Sequence, residues 1–336
     1  MTYQSTASLQ QLADRINGAR HIICTAHAKP DGDATGSVMA LVRVLQETHD
    51  VHAWLAGSVP PPMQMILGDT PWTHIREASD IPVGEPDLIV VLDTGARSQL
   101  HPIVDWLDAR SDRVIGVDHH ASGDDIASDR YIDATAASCT MLVLSLIDHL
   151  KRPITREVAE PLFAGLATDT GWFRQANADA AAFNVASRLL SCGVDKDGLF
   201  RAIEETARPQ RLALQARAFE SIDWRLNGRV AVMRLSLTDF ADTGGRRSEV
   251  TGMVNGPLVV ADAEMSALLL EERQGVIKIS MRSKPPAQSG GAFFDVRAVA
   301  NVLGGGGHVH AAGAEVQGDL DTASHMLDGA ILQQGL

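Results

Sequence analysis

The sequence holds only three cysteines, Cys24, Cys139 and Cys192, odd in number and widely spaced. That excludes a disulfide framework and a cysteine-based zinc pattern, and it leaves each as a small buried residue rather than a nucleophile. Basic residues are also scarce: 29 Lys and Arg stand against 42 Asp and Glu, a formal charge of −13. A protein that coats long nucleic acid needs a basic surface, so long duplexes are excluded as partners, whereas small phosphate compounds are not. No apolar run approaches the ~20 residues that a membrane span requires. The opening "MTYQSTASLQQLADRINGAR" is polar and amphipathic, unlike a signal peptide, so the expectation is a cytoplasmic protein with no membrane partner. There is no internal repeat.

The 336 residues present can bury a large core and favour two domains over one. In the first half, strand and helix patterns alternate. "HIICTA" (21–26), "LIVVL" (88–92) and "RVIGV" (113–117) are continuous apolar runs, as expected of strands buried on both faces. Between the first two, Val38, Leu41, Val42 and Leu45 recur at helical spacing. The pattern predicts an α/β domain with a parallel, doubly wound sheet over 1–192. A helical connector, 193–221, is broken by Pro209. "RVAVMRLSL", "AEMSALLLE" and "GVIKISMRS" then read as strands of a smaller α+β domain over 222–336, with "PPAQSGG" (285–291) as a flexible loop.

Metal-ligating side chains cluster where these elements end. "HAKPDGD" supplies His27, Asp31 and Asp33; "LDTG" supplies Asp93; "VDHH" supplies Asp118, His119 and His120; "ATDTG" supplies Asp169. Each alone has a plain reading: an aspartate capping the next helix, a strand end, a turn. Three of the clusters follow parallel strands, however, and in an open α/β sheet ligand crevices form there. Carboxylates and imidazoles gathered in one crevice would repel or protonate unless a cation held them. Two divalent metals sharing a bridging carboxylate resolve this, and such pairs activate water for phosphoryl hydrolysis. The histidines elsewhere, His21 and His52 among them, carry no partner motif. Trp172, beside Asp169, is read as core packing.

Near the C-terminus, "NVLGGGGHVHAAG" runs through Gly304–Gly307 to His308 and His310. Consecutive glycines let backbone N–H groups close on an anion. Residues 273–314 also carry Arg273, Lys278, Arg282, Lys284 and Arg297 against Asp295 alone. Phosphate or nucleotide binding is the expectation, with Arg282 as a fork for a second anion.

Taken in order, "HAKPDGD", "LDTG", "VDHH", "ATDTG" and "GGGGHVHAAG" resemble the DHH phosphoesterases with a DHH-associated C-terminal domain. The motifs span 27–313. Length and layout look most like the subgroup of bifunctional nano-RNases and pAp phosphatases, and "EVTGMVNGPL" (249–258) resembles a segment of it. The resemblance implies a cleft between the two domains. It also implies one metal on His27, Asp31 and Asp93, and a second on Asp33, Asp93, His119 and Asp169, with Asp93 bridging. His120 would face the scissile phosphate, and Asp118 would orient its histidine neighbours. Both metals would be Mn²⁺, which mixed carboxylate and imidazole ligands suit without selecting uniquely. Arg282, Ser283, Gly305, Gly306, Gly307 and His308 would hold the substrate's terminal phosphate or nucleotide.

The activity so implied is hydrolysis of short single-stranded RNA to mononucleotides, and of 3′-phosphoadenosine 5′-phosphate (pAp) to AMP, by metal-activated water. Rival readings are cleavage of pApA or a cyclic dinucleotide, a RecJ-like exonuclease, or a nucleotide sensor without catalysis. The full ligand set favours an enzyme over the sensor. A homodimer is compatible with the sequence and not implied by it.

Overall fold

A computed structural model describes residues 3–286 and 291–333, so most of the loop expected at 285–291 lies outside the described residues. The chain divides into two compact units, Met1–Thr206 and Ala207–Leu336.

The first unit is built on six parallel strands: β1 (His21–Ala26), β2 (Asp50–Ala56), β3 (Trp72–Ile75), β4 (Leu88–Leu92), β5 (Val114–Asp118) and β6 (Asp129–Ile132). Their order across the sheet is β3-β2-β1-β4-β5-β6. Its helices are α1 (Leu9–Gly18), α2 (Gly32–Leu45), α3 (Gln64–Leu67), α4 (Val104–Asp108), α5 (Cys139–His149), α6 (Arg156–Asp169), α7 (Ala180–Ser191) and α8 (Lys196–Glu204). The apolar runs are buried on both faces, as their composition requires. Ile22, Cys24 and Ala26 of β1 join one core with α1, α2, α5 and α6, while Ile23 points into a second core with Leu100, Ile103 and Leu107. Each large aliphatic side chain so buried contributes roughly 1.5–3 kcal/mol.

Strand order reverses at β1. From there the chain builds β2 and β3 to one side and returns as β4 on the other, which leaves a crevice beyond the carboxyl ends of β1 and β4. Two helices close on this crevice from the same face. A Cβ on Gly36 of α2 would lie 2.3 Å from the Pro161 carbonyl oxygen of α6, so only glycine permits the approach. Pro161 itself cannot donate to the Glu157 carbonyl one turn back. That carbonyl accepts instead from Arg43 Nη1 of α2 at 2.7 Å, which ties the two helices together.

The second unit carries a mixed sheet of β7 (Asp223–Arg225), β8 (Val230–Leu235), β9 (Met265–Arg273), β10 (Val276–Ser283), β11 (Gly306–His308) and β12 (Ala311–Gln317), ordered β11-β12-β10-β9-β8-β7. Only β8 and β9 run parallel among its pairs. Helices α9 (Pro209–Glu220), α10 (Leu237–Thr243), α11 (Val296–Val302) and α12 (Leu320–Leu332) complete it. Ile277, Ile279 and Met281 of β10 enter the core with α11 and α12, and Lys278 and Arg282 take the other face. Pro209 begins α9 at its first position, where a missing N–H costs nothing. The fold class expected from the sequence therefore holds for both units. No helix among the described residues is long and apolar enough to cross a membrane.

Candidate metal centre

Sequence reasoning named six ligands at four places in the first unit, and the fold brings them into one crevice. His27 follows β1. Its Nε2 lies 3.5 Å from Asp93 Oδ2, at the end of β4, and 3.8 Å from Asp31 Oδ1. His119, just past β5, points its Nε2 at Asp93 Oδ1 (3.4 Å), Asp33 Oδ2 (3.6 Å) and Asp169 Oδ2 (3.9 Å). Two sets of donor atoms, His27–Asp31–Asp93 and Asp33–His119–Asp169, each lie within 4.8 Å of one another. Asp93 touches both.

Local structure explains how each ligand is aimed. Asp31 is the N-cap of α2, its Oδ1 accepting from the N–H groups of Asp33 and Ala34 at 3.0 Å each. The helix-capping role and the place beside His27 coexist in one carboxylate. Asp33, one residue into α2, is buried, and both of its oxygens accept backbone N–H groups from the first turn of α5: Cys139 at 2.5 Å and Thr140 at 2.9 Å. The unpaired amides and dipole of a helix N-terminus hold a carboxylate there. Asp93 takes a positive φ of 60°, a conformation aspartate tolerates better than most residues, and its N–H is fixed by the Val117 carbonyl at 3.0 Å. Asp169 is the last residue of α6.

Both candidate imidazoles are oriented through their Nδ1 atoms. His27 Nδ1 donates to the Ala28 carbonyl and His119 Nδ1 to the Ala136 carbonyl, each at 3.2 Å, which turns each Nε2 inward. Without a cation the crevice must take up protons. Burial alone would lower the His27 pKa, but contacts with Asp31 and Asp93 raise it to about 10. His119 rises to about 10 against the same penalty, through Asp93, Asp33 and Asp169. Burial, then the charges of Asp93 and Asp169, push the Asp33 carboxyl well up, and burial leads the rise of Asp169 to about 6. Among the described residues, Asp93 Oδ1 is buried and makes no hydrogen bond. An orphaned carboxylate oxygen among hard oxygen and imidazole donors is what a shared divalent cation would satisfy. The residues present fit such ions.

Beside the crevice, His120 is exposed, and its Nδ1 donates to Asp118 Oδ1 at 2.7 Å. That hydrogen bond, ahead of burial, raises the His120 pKa. Asp118 is fully buried, and burial would raise its pKa, yet hydrogen bonds from His120 and Tyr3 hold it below the usual value. Sequence reasoning missed Tyr3, which no motif flags. It missed as well that the start of α5 would face Asp33, although Ser138 before an apolar run is a helix-start signal. Trp172 packs half-buried against Phe200 and donates from Nε1 to Glu204 Oε1 at 2.8 Å. A second cluster, His21, Asp50 and His52, lies at the opposite end of β1 and β2 on the surface, where the sequence offered no partner motif.

In the second unit the expected anion-binding residues sit on β10 and on the β11–β12 hairpin. Gly306–His308 is a strand paired antiparallel with Ala311–Gly313 rather than an open loop. Two of its glycines serve that packing: a Cβ on Gly305 would meet the Gly313 carbonyl oxygen at 2.1 Å, and one on Gly307 the Ala311 carbonyl oxygen at 2.6 Å. Gly306 faces open space, and His308 is exposed. Arg282 lies on the polar face of β10, its Nη1 donating to the Met281 carbonyl at 2.8 Å. Ser283 is buried and bonds His310 Nδ1 at 2.9 Å, which gives His310 a structural partner that the sequence did not announce.

Comparison with known proteins agrees with this picture. Residues 21–166 match the DHH family, N-terminal domain. The chain is 28% identical over 316 residues to the bifunctional oligoribonuclease and PAP phosphatase NrnA of Thermus thermophilus, covering 93% of this chain and 90% of that one. It is 27% identical over 308 residues to a probable protein of the same name from Streptococcus mutans, covering 89% and 91%. The crystal structure of an exopolyphosphatase-related protein from Bacteroides fragilis superposes with a TM-score of 0.82 at 26% identity, over 97% of this chain and 95% of that one.

Proposed function

We propose that this chain, whose residues 21–166 match the DHH family N-terminal domain, is a phosphoester hydrolase that cleaves short oligoribonucleotides to mononucleotides and pAp to AMP. The observation that carries the reading is the gathering of His27, Asp31, Asp33, His119 and Asp169 about the two oxygens of the buried Asp93 carboxylate. His27, Asp31 and Asp93 would hold one divalent cation; Asp33, Asp93, His119 and Asp169 would hold the other, Mn²⁺ in both cases. Bound there, the ions supply positive charge that activates water and stabilises phosphoryl oxygens.

This chain's own residues do the rest. His120, held at Nδ1 by Asp118, offers Nε2 to the scissile phosphate and positions or protonates it. Asp118, buried and ionised, keeps that ring oriented. Arg282, Ser283, Gly305, Gly306, Gly307 and His308 bind a terminal phosphate or nucleotide. A second anchor of this kind measures length and so favours short substrates. The net charge of −13 agrees, since nothing here is built to track a long strand.

The test is a rate comparison of purified protein with Mn²⁺ on pAp, pApA, RNA 2- to 5-mers and a 24-mer. Fast turnover of pAp and short RNA, abolished by EDTA, is expected. Preference for the 24-mer, or activity that survives EDTA, would overturn the reading.

A further inference from the structure

Tyr3 lies 115 residues from Asp118 in sequence, yet its hydroxyl donates to Asp118 Oδ2 at 2.8 Å. The other carboxylate oxygen, Oδ1, takes the His120 backbone N–H at 3.2 Å and the His120 ring Nδ1 at 2.7 Å. Asp118 is thus held from two sides, by Tyr3 on one oxygen and by His120 on the other. Burial first, then the Asp118 charge, raise the Tyr3 pKa, so its hydroxyl stays a neutral donor.

The seat for this tyrosine is built into the fold. A Cβ on Gly95, two residues after Asp93, would meet Tyr3 Oη at 1.9 Å; one on Gly123, three residues after His120, would meet its ring at 2.6 Å. The Arg130 guanidinium stands 5.9 Å from the ring centroid. Residues 4–7 are laced to the edge strand β6. Thr6 and Ala7 donate to the Arg130 carbonyl at 2.9 and 3.1 Å, and Arg130 Nε donates to the Gln4 carbonyl at 3.0 Å. Ser5 Oγ donates to the Ile132 carbonyl at 3.0 Å and accepts the Ile132 N–H at 2.8 Å. A strap on the sheet edge therefore delivers one hydroxyl to one carboxylate.

We propose that Tyr3 is a positioning residue for the reaction: its hydroxyl locks the Asp118 carboxylate so that Oδ1 fixes the His120 ring. The proposal rests on the reading that His120 faces the scissile phosphate. Tyr3 touches no substrate itself. It acts through Asp118, as outer partners of site residues generally do, where loss costs about 10- to 100-fold.

The experiment compares wild type, Tyr3→Phe, Asp118→Asn and the double variant as full chains with Mn²⁺ and pAp. Phenylalanine keeps the ring in its seat and removes only the hydroxyl. The expected result is a kcat about tenfold lower in Tyr3→Phe with KM unchanged, and a modest fall in the urea midpoint because Asp118 Oδ2 loses its donor. The double variant should be no slower than Asp118→Asn alone, because both changes break one unit. In metal-free protein, the ¹⁵N resonance of His120 Nδ1 should move in Tyr3→Phe. If wild type turns over and Tyr3→Phe matches it within twofold, the proposal fails while the functional reading stands. A lowered urea midpoint with a raised KM would make the strap merely structural and also overturn it. If wild type is inactive on every substrate, the functional reading falls, and an unmoved Nδ1 resonance would then sink the Tyr3 proposal on its own.

Discussion

Asp93 Oδ1 and His119 Nε2 stand 3.4 Å apart without a hydrogen bond, while Asp93 Oδ2 faces His27 Nε2 at 3.5 Å. One carboxylate thus addresses two imidazoles from opposite oxygens, each imidazole pinned at its far nitrogen. Replacing Asp93 by alanine removes the single group common to both donor sets. We expect a loss of ~4 kcal/mol of transition-state stabilisation, a fall of about 1000-fold in kcat/KM on pAp. Metal content measured by atomic emission should fall with it. Undiminished activity in Asp93→Ala would refute the bridging assignment.

Proton uptake by the crevice sets a pH dependence. In metal-free protein His27 and His119 are raised to about 10 and Asp169 to about 6. A folded-state pKa above the unfolded one gives stability that is present at low pH and is lost as pH rises through the folded value. For Asp169 that loss runs from about pH 4 to 6, and for the histidines from about 6.5 to 10. Metal-free protein should therefore melt at progressively lower temperature from pH 5.5 to 9.5. Cations replace those protons, so Mn²⁺ affinity should rise over the same window, with net proton release in calorimetry. A melting temperature that climbs with pH in the metal-free protein would contradict this charge balance.

Asp31 allows cap and ligand to be separated. Asparagine caps a helix about as well as aspartate, whereas alanine loses ~0.5–2 kcal/mol. In urea unfolding of metal-free protein, Asp31→Asn should lose only the pairing with His27, and Asp31→Ala should fall further by the capping amount. Both should weaken Mn²⁺ binding. Full Mn²⁺ affinity in Asp31→Asn would leave Asp31 as a cap and nothing more.

Much of this was legible in the sequence because it is written in local pattern. Strands β1, β4 and β5 are unbroken apolar runs buried on both faces, and candidate ligands follow them directly. Strands β3 and β6 lie at the sheet edges, are four residues each and are only partly buried, so they carry no such run. The glycine run announced backbone approach, but not that Gly305 and Gly307 would spend it on β12. Contacts set by tertiary placement left no trace: the α5 amides on Asp33 join residues 106 and 107 apart, and Tyr3 reaches Asp118 across 115. Asp31 reads as a cap and as a candidate ligand for the same reason, since a short carboxylate at a helix start suits either role.

Arg282 tests the second unit. It stands on the polar face of β10, one residue before the buried Ser283 that bonds His310, and it pairs with Ala311 across the sheet. Its guanidinium offers several donors and only one is taken by the Met281 carbonyl in the described contacts, which leaves a fork suited to a phosphate. An interaction with the remote end of a substrate is made equally in ground and transition states, so its loss raises KM with little change in kcat. A charge-assisted hydrogen bond of ~1.5–3 kcal/mol corresponds to at least about tenfold in KM for Arg282→Ala. Lysine keeps the charge but not the fork, so Arg282→Lys should recover only part of that loss. Steady-state kinetics on pAp and an RNA dimer decide it: a pure kcat loss would move Arg282 from the substrate's far end to the reacting phosphate.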